Sequence, residues 1–182
     1  MPFDHFDVIA PLYARTTYSA QAKMRELAAL PVKGRLLDIG GGTGRVASAL
    51  LKDVDEVVVA DVSMGMLRQT PRLTLQPVCS LSETLPFPDN FFERVIMVDA
   101  LHHVIDQPAT AREMFRVLKP GGRIVIEEPD IRTFGVKLIA LAEKLLLMRS
   151  HFLSPLQISS LFPAGSADTV SEDSSAWVVI SK

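Results

Sequence analysis

Residues 38–44 read Asp-Ile-Gly-Gly-Gly-Thr-Gly, an acid followed by the glycines Gly40, Gly41, Gly42 and Gly44. Glycine lets a backbone turn sharply and lets a ligand approach it closely, so such a loop suits a small molecule held at a strand end. Spacing excludes two phosphate chemistries. A P-loop needs Lys followed by Ser or Thr after its last glycine, and Arg45-Val46 stand there instead; the dinucleotide pattern begun at Gly40 and Gly42 needs a glycine at the position of Arg45. Asp38 would repel a pyrophosphate and suits a ligand carrying an ammonium group. A second acid, Asp61, closes the next apolar run and can accept from both hydroxyls of a ribose. Adenosine joined to an amino acid fits this pair of acids better than NAD. The competing readings are a nicotinamide-dependent oxidoreductase and a bare strand-to-helix turn.

His102 and His103 are candidates for a general base, since imidazole titrates near neutrality. As metal ligands they are poor: successive side chains diverge and no third ligand is evident, so no metal site is expected.

Positioning these groups takes strand ends and helix starts. The runs 36–39, 57–60, 95–98, 124–126 and 178–180 are apolar without period-two alternation, which predicts strands buried on both faces of a parallel sheet. Between them, Pro108 to Lys119 carries Ala111, Met114, Phe115 and Leu118 at helical spacing, with Asp106 to cap it and Pro120-Gly121-Gly122 to end it. Further helices are expected over 19–30, 44–52, 63–70 and 132–149. This alternation predicts a doubly wound α/β sheet with its ligand beyond the carboxyl ends of the strands.

Five segments, in this order and spacing, carry a resemblance: residues 36–44, Asp61 to Leu67, Leu85-Pro86-Phe87-Pro88-Asp89-Asn90, Leu101-His102-His103 and Val117 to Gly122. The chain resembles a class I S-adenosylmethionine-dependent methyltransferase, of the small branch similar to the ubiquinone/menaquinone-biosynthesis enzymes. The resemblance implies a Rossmann-like, doubly wound seven-stranded sheet of order 3-2-1-4-5-7-6 with strand 7 antiparallel, residues 176–181 being the candidate last strand. It implies S-adenosylmethionine as cofactor. Asp38, Gly40, Gly41, Gly42 and Gly44 would meet its methionyl and ribose part and Asp61 the ribose hydroxyls. Val62 and Met66 would flank adenine, Leu81 and Ser82 would meet the adenine edge, and Val98 would lie beside the methyl group. Tyr13, within Phe6-Asp7-Val8-Ile9-Ala10-Pro11-Leu12-Tyr13, falls in a segment that folds over the cofactor as a lid.

Two positions depart from the family pattern. Leu81 stands where an acid commonly accepts from the adenine amino group, a loss on the order of 1 kcal/mol of affinity. Asp99 stands where relatives commonly carry an apolar residue; it is a candidate to hold an acceptor amine or hydroxyl or to act as general base, the alternative being a cap or loop hydrogen bond. Leu-His-His recurs in relatives with different substrates, which suits a structural role beside the catalytic one considered for His103.

With 182 residues, 48% of them hydrophobic and 22% charged, one globular domain is expected, with 1–30 as lid and helix and 128–167 as a substrate-side insertion. A net charge of −2 without a basic block argues against nucleic acid as partner or acceptor. The acidic start lacks the regions of a signal peptide and no apolar run approaches the roughly 20 residues that span a bilayer, so a cytoplasmic protein without a transmembrane segment is expected. The single Cys79 excludes a disulfide framework. The expected function is in-line methyl transfer to a small-molecule acceptor. The alternative is a protein that binds S-adenosylmethionine or its demethylated product without catalysing transfer, and a homo-oligomer is left open.

Overall fold

Each apolar run becomes a strand because helices cover the sheet on both faces. The computed structural model describes residues 18–145, 150–172 and 174–182. In it β1 (Arg35–Ile39), β2 (Glu56–Asp61), β3 (Gln76–Cys79), β4 (Phe92–Val98), β5 (Leu118–Pro129), β6 (Ser166–Glu172) and β7 (Ser175–Ser181) form one sheet of order β3-β2-β1-β4-β5-β7-β6. Neighbours from β3 through β5 run parallel, while β7 is antiparallel to both β5 and β6. The helices are α1 (Gln21–Leu27), α2 (Arg45–Ala49), α3 (Met64–Leu67), α4 (Gln107–Val117), α5 (Phe134–Leu145) and α6 (Pro155–Ser160), with a short 3-10 turn at Leu101–His103.

Side chains alternate along the strands into two cores. Leu37, Ile39, Val95, Met97, Ile124 and Ile126 pack with Met114 and Val117 of α4 and with Ile158 of α6. Leu36, Ile96, Val98 and Val125 pack with Met24 of α1 and Val46 and Ala47 of α2. The strand order reverses between β1 and β4, and that crevice is where an open α/β sheet holds its ligand.

Several boundaries differ from those the pattern predicts. Helix α4 stops at Val117 because Leu118 is already extended (φ −74, ψ 134) and pairs with Phe92, so β5 begins before the Pro-Gly-Gly turn. Helices α1, α2 and α3 are shorter than their predicted spans; Gly44, with φ 78, cannot be the first helical residue of α2, and Ser63 caps α3 by accepting from Met66 N. Helix α5 fills 134–145 of the predicted 132–149, and residues 146–149 lie outside the described ones. Strands β3 and β6 were marked by no apolar run, being edge strands with exposed positions. Helix α6 was not predicted; Ser154 and Gln157 form its capping box.

Candidate active site

The loop between β1 and α2 is shaped by glycine where side chains are disfavoured: Gly40, Gly42 and Gly44 have φ of 67, 57 and 78. Around it, a cavity of about 460 Å³ runs past the carboxyl ends of β1, β2, β3 and β4. Asp38, Gly40, Gly41, Gly42, Asp61, Val62, Met66, Leu81, Ser82 and Val98 line it, as do Asp99 and His103. Gly44 is not among the lining residues. A Cβ there would lie 2.6 Å from Leu75 Cδ1, so this glycine serves the packing beneath the loop. Tyr13 lies outside the described residues.

Two polarities divide the cavity. At one end Val62 and Leu81 are largely solvent-facing apolar side chains, with Met66 beside them, the surroundings a flat base requires. Next to them Asp61 accepts from Gly42 N (2.9 Å) and Ser63 N (2.7 Å), which fixes its carboxylate beside the loop. Asp38 is 1% exposed and its Oδ2 has no hydrogen-bond partner among the described residues. Burial is the main reason its pKa rises to about 7; the Ala47 N–H and Arg45 oppose the rise and Asp61 adds to it.

At the other end, β4 and β5 bring acids together. Asp99 has φ 51, uncommon for a residue with a side chain though better tolerated by Asp than by most, and its N–H donates to Glu127 O (2.9 Å). Its side chain, 56% exposed, faces Arg45 Nη2 at 4.0 Å. Even in this open position the surrounding protein desolvates it, which together with the charge of Glu128 raises its pKa; Arg45 and His102 act the other way. Among the described residues its carboxylate accepts no hydrogen bond from a helix start or a loop, and its near contact is Arg45. Behind it Glu127 accepts from the Tyr18 hydroxyl (2.6 Å), and burial pushes Glu127 up to about 7 and the Tyr18 phenol far above its usual range.

The histidines separate by role. His102 is 5% exposed; its Nδ1 lies 2.5 Å from Glu128 Oε2 and its ring stacks on Phe152 at 4.4 Å. Glu128 Oε1 accepts from Ala100 N and Leu101 N, so one carboxylate ties the turn after β4 to the end of β5. The ring of His103 lines the cavity with Nδ1 3.3 Å from Ser150 Oγ. Among the described residues, no cluster of three His, Cys, Asp or Glu could hold a metal ion, and no helix is long and apolar enough to cross a membrane.

These surroundings fit S-adenosylmethionine. The Asp38 oxygen without a partner suits an ammonium, Asp61 suits a ribose diol, and Val62, Met66 and Leu81 suit a base. The substitution at Leu81 leaves that wall apolar, 50% exposed, with Ser80 beside it carrying a buried Oγ that has no hydrogen-bond partner among the described residues. Reasoning from sequence missed Ser80, Arg45, Tyr18 and Glu128; only Arg45, adjoining the glycine loop, stood where a signal could have been read.

A methyltransferase domain profile matches residues 37–126. Over 105 residues the chain is 42% identical to the ubiquinone/menaquinone biosynthesis C-methyltransferase UbiE of Coxiella burnetii, an alignment covering 52% of this chain and 42% of that protein. The corresponding enzyme of Yersinia pestis is 38% identical with the same coverage, so the chain spans less than half the length of these relatives. Among solved structures, an S-adenosylmethionine-dependent methyltransferase of Thermotoga maritima superposes with TM-score 0.79 at 21% identity, covering 97% of this chain and 98% of that one. The YcgJ protein of Bacillus subtilis superposes with TM-score 0.73 at 24% identity over 84% and 70%. Domain profile, strand order and relatives agree: residues 37–126 match a methyltransferase domain, and the chain resembles the class I S-adenosylmethionine-dependent methyltransferases, the UbiE C-methyltransferases among them.

Proposed function

We propose that the chain transfers a methyl group from S-adenosylmethionine to a small-molecule acceptor by in-line displacement. The observation that carries this reading is the shared cavity: Asp38, Asp61, the glycine loop, Asp99 and His103 all line it, at the carboxyl ends of adjacent strands. Bound there, the cofactor supplies a methyl group already activated by a sulfonium, so the protein needs no nucleophile of its own. Its residues have three tasks.

Asp38, Asp61, Val62, Met66, Leu81 and Ser82 hold the adenosyl and amino-acid parts. Val98 and the Glu128-tied turn shape the wall toward the acceptor and exclude water, which aligns the reactants. Asp99 takes the proton of an acceptor hydroxyl or amine at its carboxylate, a task its raised pKa favours. His103 borders the same space and is the second candidate for that proton.

Incubation with methyl-labelled S-adenosylmethionine and a panel of small phenols, amines and quinols tests the reading, with label expected in one acceptor class. Persistent inactivity despite tight cofactor binding would favour a protein that only binds S-adenosylmethionine or its demethylated product. Leu81, in place of an acid, is the observation on that side. A cytoplasmic location and a single domain accompany this proposal. The acidic cavity and net charge of −2 support a small acceptor over a nucleic acid.

A further inference from the structure

Among the described residues that line the cavity, Arg45 is the one with a permanent positive charge, and the reaction as outlined gives it no task. It opens α2 immediately after the glycine loop, lines the cavity, and has a side chain only 21% exposed. A guanidinium offers five N–H donors in a planar fork and stays charged at every ordinary pH. Among the described residues its polar and ring contacts are Asp99 Oδ2 at 4.0 Å, too long for a hydrogen bond, and the face of Tyr18, 5.5 Å from the ring centroid. A largely buried charge so thinly satisfied is costly, and its donors are suited to an anion that enters the cavity. Tyr18 is itself fixed, its hydroxyl donating to Glu127, so the ring facing the guanidinium is held in place.

The amino-acid tail of the cofactor carries one ammonium and one carboxylate. Asp38, at the start of the glycine loop, has a buried oxygen without a partner among the described residues; Arg45, at its end, has a fork of donors held by one long contact. The loop thus has one complement for each charge of the tail. Arginine and a carboxylate in full contact form two parallel bonds of about 2.8 Å, which a 4.0 Å pairing with Asp99 cannot match.

Resting on the cofactor reading above, we propose that Arg45 is shared: Asp99 holds it in the free protein, and the carboxylate of the cofactor's amino-acid tail takes it on binding, which releases Asp99 to the methyl acceptor. Two consequences follow. The cofactor strengthens acceptor binding, because Asp99 no longer shares its charge with Arg45 once the tail has arrived. The demethylated product, which keeps the same tail, holds Asp99 in the released state until it leaves.

Calorimetry on the full chain tests this with two ligands, S-adenosylhomocysteine and 5′-methylthioadenosine, which share the adenosine and the thioether and differ in the tail. Arg45→Met is expected to weaken S-adenosylhomocysteine at least about 10-fold and to leave 5′-methylthioadenosine within about 2-fold, with Arg45→Lys between the two. Asp99→Asn is expected to tighten S-adenosylhomocysteine a few-fold, because the competing carboxylate is gone, and to leave 5′-methylthioadenosine unchanged. The retained affinity for 5′-methylthioadenosine doubles as the check that each variant is folded. Wild-type affinity for S-adenosylhomocysteine in Arg45→Met, equal loss of both ligands, or weaker binding in Asp99→Asn overturns the sharing of Arg45 while leaving the cofactor reading intact. A wild-type protein that binds neither ligand overturns the cofactor reading and this proposal with it.

Discussion

Glu128 Oε2 lies 2.5 Å from His102 Nδ1, and Oε1 of the same carboxylate accepts from the backbone N–H groups of Ala100 and Leu101 at 2.9 and 2.7 Å. Both residues are almost fully buried, 3% and 5% exposed. A glutamate at the end of β5 therefore organises the turn after β4, against which Asp99 and His103 are placed. The same turn receives His151 N at His102 O, which fastens the segment after α5 to the cavity wall.

Glu128→Ala strips three donors of their partner at once. Removing the buried carboxylate leaves two backbone N–H groups unsatisfied and takes away the imidazole contact, at a cost of about 3 kcal/mol, and Glu128→Gln, which retains one acceptor oxygen, costs less. Urea denaturation of the two variants checks the order and the size. A loss below about 1 kcal/mol for Glu128→Ala would show that the turn is held by other means.

Asp61→Ala removes the carboxylate that Gly42 and Ser63 fix beside the loop. Losing a charged acceptor for two ribose hydroxyls is expected to raise the dissociation constant of S-adenosylhomocysteine by about 10- to 100-fold, in line with about 1.5–3 kcal/mol for hydrogen bonds to a charged group. Titration calorimetry reads it directly, and an affinity that survived intact would remove Asp61 from the ribose site.

The sheet was legible because its central strands are buried on both faces and so read as unbroken apolar runs, as Val95–Val98 and Ile124–Ile126 do. Edge strands escape that test: Ser166–Glu172 is exposed along most of its length and reads as a polar loop. In the site, the glycine loop and Asp61 were legible because backbone conformation and chain position impose them. Arg45, Ser80 and Glu128 were not, since what they do depends on contacts with Asp99, the base end of the cavity and His102, brought near only by the folded sheet. Gly44 shows the reverse case, a glycine within the motif whose side-chain space belongs to Leu75.

Asp38 gives affinity and stability opposite responses to pH. Its folded pKa of about 7 exceeds the ordinary value of 3.8, so between those limits the folded state binds more protons than the unfolded state. The contribution of Asp38 to stability therefore falls as pH rises from about 4 to about 7 and is constant above. Glu127, also pushed up to about 7, adds to the same slope. Cofactor affinity moves the other way, because the tail ammonium, protonated throughout this range, requires ionised Asp38. Affinity for S-adenosylhomocysteine is expected to fall up to 10-fold per pH unit below about 7 in wild type and to be flat in Asp38→Asn. Calorimetry between about pH 5.5 and 7 separates the two acids, since Glu127 contributes to the stability slope alone. A wild-type affinity without pH dependence in that window would place the ammonium elsewhere.

Ser80→Ala is expected to stabilise the free protein, against the usual sign of a substitution. The Ser80 Oγ is buried without a hydrogen-bond partner among the described residues, and the residue lines the base end of the cavity. An unmade buried hydrogen bond costs about 1–3 kcal/mol, and alanine removes the oxygen while keeping the Cβ and its contacts. A gain of about 1 kcal/mol corresponds to a Tm higher by about 3 °C for a chain of this size, measurable by scanning calorimetry without ligand. A lower Tm would show that the hydroxyl is satisfied in solution. Binding divides the remaining cases: a stabilised variant with weaker S-adenosylhomocysteine affinity puts the hydroxyl on the adenine edge, where it would offset the acid absent at Leu81. A stabilised variant with unchanged affinity makes it a packing defect beside the site.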